Sequence, residues 1–560
     1  MQDSVSVALA GSGGAGVMTA GNMLLEAAAL AGYYGLMTRT SGPQIRGGEA
    51  AAMLRISTFA TDGQDDRFKA LAAIDWRNVS HFSAELPLGP ESVVLGDPAQ
   101  GEPPEIFMRG GARYLPMPLK KLAAQVPGAW PNMIALGALA GLIGLPCSAV
   151  EGAARKAMKR GLDAGIAAAR LGMEQARSLP GFHLQEIPRR TPRWLITGNE
   201  AAGYGALRGG VRFVAAYPIT PATELLEWLS PALVRVGGTL VQAEDELASI
   251  NMALGASYGG VPALTATSGP GLALMVESLG LGVAAEVPVV VVDVMRTGPS
   301  TGIATKSEQA DLNIALYGLP GDAPHVVVAP NSLADCLAAT EWAVALAESL
   351  QVPAIVLSDQ YFGQARAVVD VPAGSGVSLR RRTAEEPGER YRRYLLTGSG
   401  VSPMAIPGTH GGNYTADGLE HDEQGTPSSQ AADHLAQMDK RARKLAQLDP
   451  GDAWASIEGE GDLAVLTFGS CTGPVREALA RNGHGIRLVS LRLLAPAQPG
   501  RLSKALDGVK RVLVVEQNHS GQFLRYLRAE YDLPVEVRSL RRPGPLPFRP
   551  EEICREILKP

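Results

Sequence analysis

Aromatic side chains make up only 5% of these 560 residues and charged ones only 19%, while hydrophobic residues reach 46%. So little charge excludes a disordered chain or a long coiled coil and leaves a globular protein. Few aromatics beside 65 glycines point to tightly packed α/β layers. Cysteine is scarce too: Cys147, Cys336, Cys471 and Cys554 stand far apart. No CxxC can form, so the chain signals neither an iron–sulfur cluster nor a structural zinc of its own. Scattered thiols fit a reducing, cytoplasmic compartment. Long apolar runs are missing as well. Val287 to Val294 is too short and too β-branched to span a membrane, and reads as a buried parallel strand. A net charge of −5 gives no basic surface for nucleic acid or anionic lipid. The first strand-like run, Val5 to Ala10, comes at once, so no signal peptide is expected.

The length predicts roughly three or four domains. The first region, 1–188, opens with a strand, the turn Gly11-Ser12-Gly13-Gly14-Ala15-Gly16 and a helix from Val17 to about Ala31. An Ala/Gly-rich helix follows at Asn132 to Leu139, then another around Ala153 to Arg170. Pro180 to Pro192 reads as a linker. In the second region, 189–372, strand-like runs at 213–216, 264–267, 287–294, 326–328 and 354–357 alternate with helical ones. That alternation predicts a mostly parallel sheet covered by helices. The pattern dissolves over 373–455, where Thr397 to Gln430 is rich in Gly, Ser, Thr, Pro and His. A last α/β unit occupies 456–560, with strand-like runs at Leu463 to Ser470 and Val512 to Glu516.

The glycine turn at 11–16 invites a dinucleotide reading, which wants an acid at the end of the second strand. That strand, near Gly35 to Arg39, ends instead in threonine and arginine. An NADP-dependent oxidoreductase therefore stays open only through Arg39. Close strand–helix packing and another phosphate ligand held by helix N–H groups are the remaining readings. Ser41 to Glu49, with Arg46, is polar, glycine-rich and basic, and could shape the same pocket.

In the second region, Tyr217-Pro218-Ile219-Thr220-Pro221 follows a strand, and its prolines hold a rigid turn at a strand's carboxyl end. Such ends are where parallel sheets place ligands. Glu244, Asp245 and Glu246 form an acidic triplet; the first two read as an exposed helix start, where acids favour the dipole. Glu246 differs, because small residues and Gly255 follow it as they follow the cofactor-activating acid of thiamine-diphosphate enzymes. That acid contacts N1′ of the aminopyrimidine, and the cofactor then carries the carbanion chemistry. Thr267-Ser268-Gly269-Pro270-Gly271 makes another strand-to-helix turn, able to press its backbone on a flat ring. Arg296 leaves the 287–294 strand beside glycine and hydroxyls, and a guanidinium suits a carboxylate such as that of a 2-oxoacid. The Gly-Asp-Gly that holds the diphosphate through Mg²⁺ in thiamine enzymes does not occur. Half a cofactor site is present.

Together, GSGGAG, SGPQIRGG, YPITPATE, EDELASINMALGASYGG, TSGPG, MRTGPSTG and VEQNHSGQ resemble the α subunit of 2-oxoacid:ferredoxin oxidoreductases in the form with a γ domain fused in front. The resemblance implies a multidomain α/β fold: a γ-type domain at 1–188, a doubly wound pyrimidine-binding-type domain at 189–372, an irregular insertion at 373–455 and a transketolase-C-terminal-like domain at 456–560. It implies CoA-dependent oxidative decarboxylation of a 2-oxoacid, most like 2-oxoglutarate, with pyruvate and branched-chain oxoacids open. Glu246 would activate thiamine diphosphate; Thr220 and Arg296 would bind the oxoacid. Tyr217, Pro218, Ser268 and Gly269 would line the pyrimidine side. Gly13, Gly14, Gly16, Arg39, Ser41 and Arg46 would contact CoA. A β subunit would bring Mg²⁺, the diphosphate site and a [4Fe-4S] cluster, giving an (αβ)₂ assembly that reduces ferredoxin. No metal site, nucleic acid or membrane is expected of this chain. The rivals are the NADP enzyme, a non-catalytic scaffold subunit with a thiamine-enzyme fold, and a free-standing acetohydroxyacid-synthase-like enzyme.

Overall fold

The computed structural model describes residues 2–559 except 42–47, 78, 188–190, 305, 373, 375, 377–378, 389–390, 484 and 535; at 41 and 49 it describes the backbone alone. Two compact units result, the first made of Met1–Thr197, Gln364–Val371 and Arg549–Glu552 and the second of the remainder.

The first unit opens with β1 (Ser4–Ser12), β2 (Tyr34–Ser41) and β3 (Glu49–Ser57). β4 (Ala70–Ala73), β5 (Val93–Gly96), β6 (Arg113–Pro116) and β7 (Arg193–Thr197) follow. β1 pairs antiparallel with β3 along its whole length and parallel with β4. β2 lies beyond β3, antiparallel to it. A dinucleotide fold needs its second strand parallel in the same βαβ unit. Here β2 runs parallel to β1, but β3 lies between them, antiparallel to both, so they are not the adjacent pair of that fold and the glycine turn does not sit in that geometry.

The helix predicted from Val17 spans Val17–Leu30, and the Ala/Gly-rich one spans Pro131–Ile143. The single helix expected around Ala153 to Arg170 is in fact two, Cys147–Ala157 and Leu162–Ala176. Gly161 breaks it at φ 65°, a left-handed conformation that glycine adopts cheaply. Small residues let Pro131–Ile143 and Leu162–Ala176 nearly touch: a Cβ on Gly137 would lie 1.9 Å from the Ala169 carbonyl oxygen.

In the second unit, β8 (Phe213–Ala216), β10 (Ala263–Thr267), β11 (Val289–Met295), β12 (Val326–Val328) and β13 (Pro353–Asp359) match the five strand-like runs of the sequence, and β9 (Thr239–Gln242) is a further strand outside them. β14 (Arg366–Asp370) belongs to the first unit, whose sheet order is β6-β5-β4-β1-β3-β2-β14-β7. Then come β15 (Ala455–Glu458), β16 (Leu463–Phe468), β17 (Ile486–Leu491), β18 (Leu493–Ala495), β19 (Arg511–Glu516) and β20 (Glu536–Arg541). The central sheet of the second unit runs β18-β12-β13-β11-β10-β8-β9 and is parallel except where β18 meets β12. Every residue of β10, β11 and β13 is buried, as strands covered on both faces must be. A second sheet, β15-β17-β16-β19-β20, forms the C-terminal part.

Residues 372–430 contain no helix or named strand among those described, and the helix Ala431–Ala446 follows. Charge holds this stretch in place. Glu286, which ends the Gly269–Ala284 helix region at φ 53°, is fully buried together with Arg393, Lys440 and Lys444. Lys444 Nζ donates to Glu286 Oε2 at 2.7 Å, Lys440 Nζ donates to Oε1, and Arg393 Nη2 donates to the Glu286 carbonyl at 2.8 Å. Burial opposes ionisation of Glu286, yet Lys444, Lys440 and Arg393 hold its carboxyl well below the usual range. Burial also pushes the Lys440 ammonium down to about 8 and that of Lys444 down to about 7.

Candidate active site

The acidic triplet divides as its residue types suggest. Glu244 and Asp245 are exposed, and the Asp245 side chain caps the helix Glu246–Tyr258 by accepting from the Ala248 amide at 2.7 Å. Glu246 is 8% exposed and turns inward with Ser249, Ile250, Ala253, Leu254 and Ser257. Gly255 does not share that inward face: it is exposed, with no described atom within 4 Å of where its Cβ would be. The small residue there is not needed for packing inside this chain.

The turn after β10 makes room for two acids. A Cβ on Gly271 would stand 2.0 Å from Thr267 Oγ1 and 2.9 Å from Glu246 Oε1. A Cβ on Gly269 would stand 2.4 Å from Asp311 Oδ1. Glycine is thus required at both positions because the carboxylates of Glu246 and Asp311 fill the space a side chain would take. Between them, Ser268 is fully buried and its Oγ has no hydrogen-bond partner among the described residues.

Arg296 follows β11 directly and is 7% exposed. Its Nη1 donates to the Thr220 carbonyl at 2.7 Å, while its buried Nε has no partner among the described residues. Burial lowers its affinity for the proton and Asp311 supports it. The Tyr217–Pro221 turn is anchored from another side by Asn199, whose Nδ2 donates to the Pro221 carbonyl at 2.9 Å. Tyr217 is exposed and Thr220 half-buried. The structure therefore brings Thr220 and Arg296 together, and sets Glu246, Ser268 and Gly269 around one strand-to-helix turn.

Two acids at these strand ends escaped the reading of the sequence. Asp293 lies on β11, opposite Thr267 of β10, fully buried with both carboxylate oxygens unpartnered among the described residues. Burial, then the like charge of Asp311, raises its carboxyl well above the usual range. Burial foremost, with Glu308 adding, pushes Asp311 up to about 7 against the pull of Arg296 and the Gly269 amide. The lone aspartate in Val289-Val290-Val291-Val292-Asp293-Val294 was the signal available.

These features fit an aminopyrimidine: a buried acid, an unpartnered hydroxyl and a turn whose glycines admit close approach. Among the described residues no group of three or more His, Cys, Asp or Glu could hold a metal ion. No helix among them is long and apolar enough to cross a membrane.

In the first unit the glycine turn is largely committed to its own neighbours. The Ser12 amide and hydroxyl donate to Asp75 Oδ2 at 3.2 and 2.7 Å, and the Gly13 amide donates to the Gly48 carbonyl. Gly14 and Gly16 have φ of 95° and 83°, and Asn132 packs where a Gly16 side chain would be. Arg39 is exposed on β2. Arg46 lies outside the described residues, as does the side chain of Ser41.

Residues 204–440 match the family model described as pyruvate flavodoxin/ferredoxin oxidoreductase, thiamine diP-bdg, and 6–175 match pyruvate ferredoxin/flavodoxin oxidoreductase. The chain is 30% identical to 2-oxoacid:ferredoxin oxidoreductase 2, subunit alpha, of Aeropyrum pernix, over 94% of this chain and 93% of that one. It is 35% identical to the 2-oxoglutarate oxidoreductase subunit KorA of Mycobacterium tuberculosis, over 76% of this chain and 67% of that one. The solved 2-oxoglutarate:ferredoxin oxidoreductase from Magnetococcus marinus, with 2-oxoglutarate, coenzyme A and succinyl-CoA bound, matches with a TM-score of 0.91 and 34% identity. That match covers 100% of this chain and 99% of that one. With a buried acid and a cationic strand end inside a thiamine-diphosphate-binding segment, the chain belongs to the 2-oxoacid:ferredoxin oxidoreductases, as an α-type subunit of that enzyme family.

Proposed function

We propose that this chain is the α half of a CoA-dependent 2-oxoacid:ferredoxin oxidoreductase and that it favours 2-oxoglutarate. The observation that carries the reading is the carboxylate of Glu246, buried at a helix start against Gly271, at the same sheet whose strand ends carry Ser268, Asp293 and Arg296 with polar atoms that lack partners in the described residues. When bound, thiamine diphosphate supplies the nucleophilic carbon and the electron sink for decarboxylation. Glu246 holds a proton relay against the pyrimidine N1′, and Tyr217, Pro218, Ser268 and Gly269 line that ring. Arg296, seated by the Thr220 carbonyl, receives the oxoacid carboxylate with Thr220 beside it. A β subunit completes the site with Mg²⁺, the diphosphate contacts and a [4Fe-4S] cluster that passes electrons to ferredoxin, in an (αβ)₂ assembly. The exposed face of Leu247, Met252 and Gly255 on the Glu246 helix supports a partner there. The first unit takes CoA through Gly13, Gly14, Gly16, Arg39, Ser41 and Arg46. The 2-oxoglutarate preference rests on the relatives named for that substrate.

The test is anaerobic viologen reduction by this chain with its β-type partner, thiamine diphosphate, Mg²⁺ and CoA, each 2-oxoacid tried singly. Glu246→Gln should lower turnover by about 10²- to 10⁴-fold with the complex intact. An intact E246Q complex that keeps full turnover would favour the scaffold reading instead.

A further inference from the structure

The polar cluster at the carboxyl ends of β10 and β11 contains more acid than the proposed chemistry uses. Asp293 and Asp311 come from different elements, the one on β11 and the other preceding the helix Leu312–Tyr317. Both Asp293 oxygens and Asp311 Oδ2 are buried and have no hydrogen-bond partner among the described residues. Gly269 is shaped to admit Asp311 against the start of a 16-residue helix. The adjacent cation is Arg296, whose Nε is buried and unpartnered in the same described set. Two ionised carboxylates against one guanidinium would leave these strand ends net negative, and a carboxylate substrate would add to that. A medium that excludes water makes such like-charge crowding costly.

We propose that Asp311 balances the charge of Arg296 and, together with Asp293, takes up a proton from solvent when a 2-oxoacid carboxylate binds. The inference rests on Arg296 being the carboxylate site. The groups facing Asp311 are Asp293 on β11, Arg296 after it and Glu308 on its own loop, with His519 acting on Glu308 and Glu246 behind the Ser268–Gly271 turn. The sign follows from the free state. Asp311 sits near about 7 there, so below that pH the pair already carries the proton and binding needs none. Above it, binding must recruit one, and affinity falls as pH rises.

The probe is 2-hydroxyglutarate, which keeps the carboxylate but lacks the keto group that decarboxylation needs. Calorimetric titration of the assembled complex in two buffers of different ionisation enthalpy reads the protons taken up. Wild type should take up close to one proton at pH 8 and little at pH 6. Asp311→Asn, which stays neutral and keeps hydrogen-bonding capacity, should bind with almost no proton uptake at either pH. Asp311→Ala should bind at least about tenfold more weakly at pH 6, about 1.4 kcal/mol, while the asparagine variant does not. Wild-type binding that is independent of buffer, proton uptake unchanged in D311N, or no binding of the probe would each overturn the proposal. Failure of the enzyme reading is separate: it appears as absent viologen reduction with every 2-oxoacid, even where proton-linked binding persists.

Discussion

Replacing Glu286 by glutamine removes the one anion inside a buried group of three cations. Lys440, Lys444 and Arg393 all have side-chain exposures of 0% beside it. Breaking a buried ion pair by deleting one partner costs about 3–5 kcal/mol, because the remaining charge is left uncompensated. Lysine can escape part of that cost by losing its proton, whereas arginine cannot. The ammonium groups of Lys444 and Lys440 already lie at about 7 and about 8 in the folded chain, below the usual lysine value of 10.5. Between those values and 10.5 the unfolded chain binds more protons, so these two lysines make stability rise with pH. Without Glu286 they are lowered further, since its charge was what raised them. The deficit of Glu286→Gln is therefore largest near pH 6 and smaller near pH 9. Native-state hydrogen exchange over the helix Ala431–Ala446 reads the local opening free energy, and limited proteolysis over 397–430 reads release of the irregular stretch. A loss below about 1 kcal/mol at pH 6, or a loss that does not shrink by pH 9, would refute the reasoning.

Two further substitutions probe the proposed site. Gly271→Ala puts a methyl 2.0 Å from Thr267 Oγ1 and 2.9 Å from Glu246 Oε1; displacing the acid should cost about 10²-fold in turnover, with a folding cost of about 1–3 kcal/mol. Viologen turnover and the thermal midpoint check the two parts, and full turnover would show that Glu246 does not depend on this glycine. Arg296→Lys keeps the charge but loses the planar fork that reaches the Thr220 carbonyl. KM for the oxoacid should rise about tenfold, about 1.4 kcal/mol, with a smaller change in kcat; an unchanged KM would exclude a carboxylate contact.

Strands on the central sheet were legible because buried parallel strands are continuous apolar runs, and β8 and β12 begin and end where those runs do. The break between Cys147–Ala157 and Leu162–Ala176 was not, because both halves share helical composition and only the conformation of Gly161 separates them. The placement of β2 beyond β3 was equally hidden, since a strand's neighbour is a matter of topology rather than of its own residues.

By itself, the order of residues determined the α/β class, the helix start at Glu246, the turns at Tyr217–Pro221 and Ser268–Gly271, and the cation at Arg296. Local pattern encodes these, through periodicity, prolines, glycines and caps. Only the tertiary structure decided that Gly269 and Gly271 serve to admit Asp311 and Glu246, and that the charges of Asp293, Asp311 and Arg296 act on one another through Asp311. It likewise brought Glu286 to Arg393, Lys440 and Lys444, more than a hundred residues on. Burial and charge partners are properties of segments far apart in the chain, and they set both the space at a glycine and the protonation of an acid.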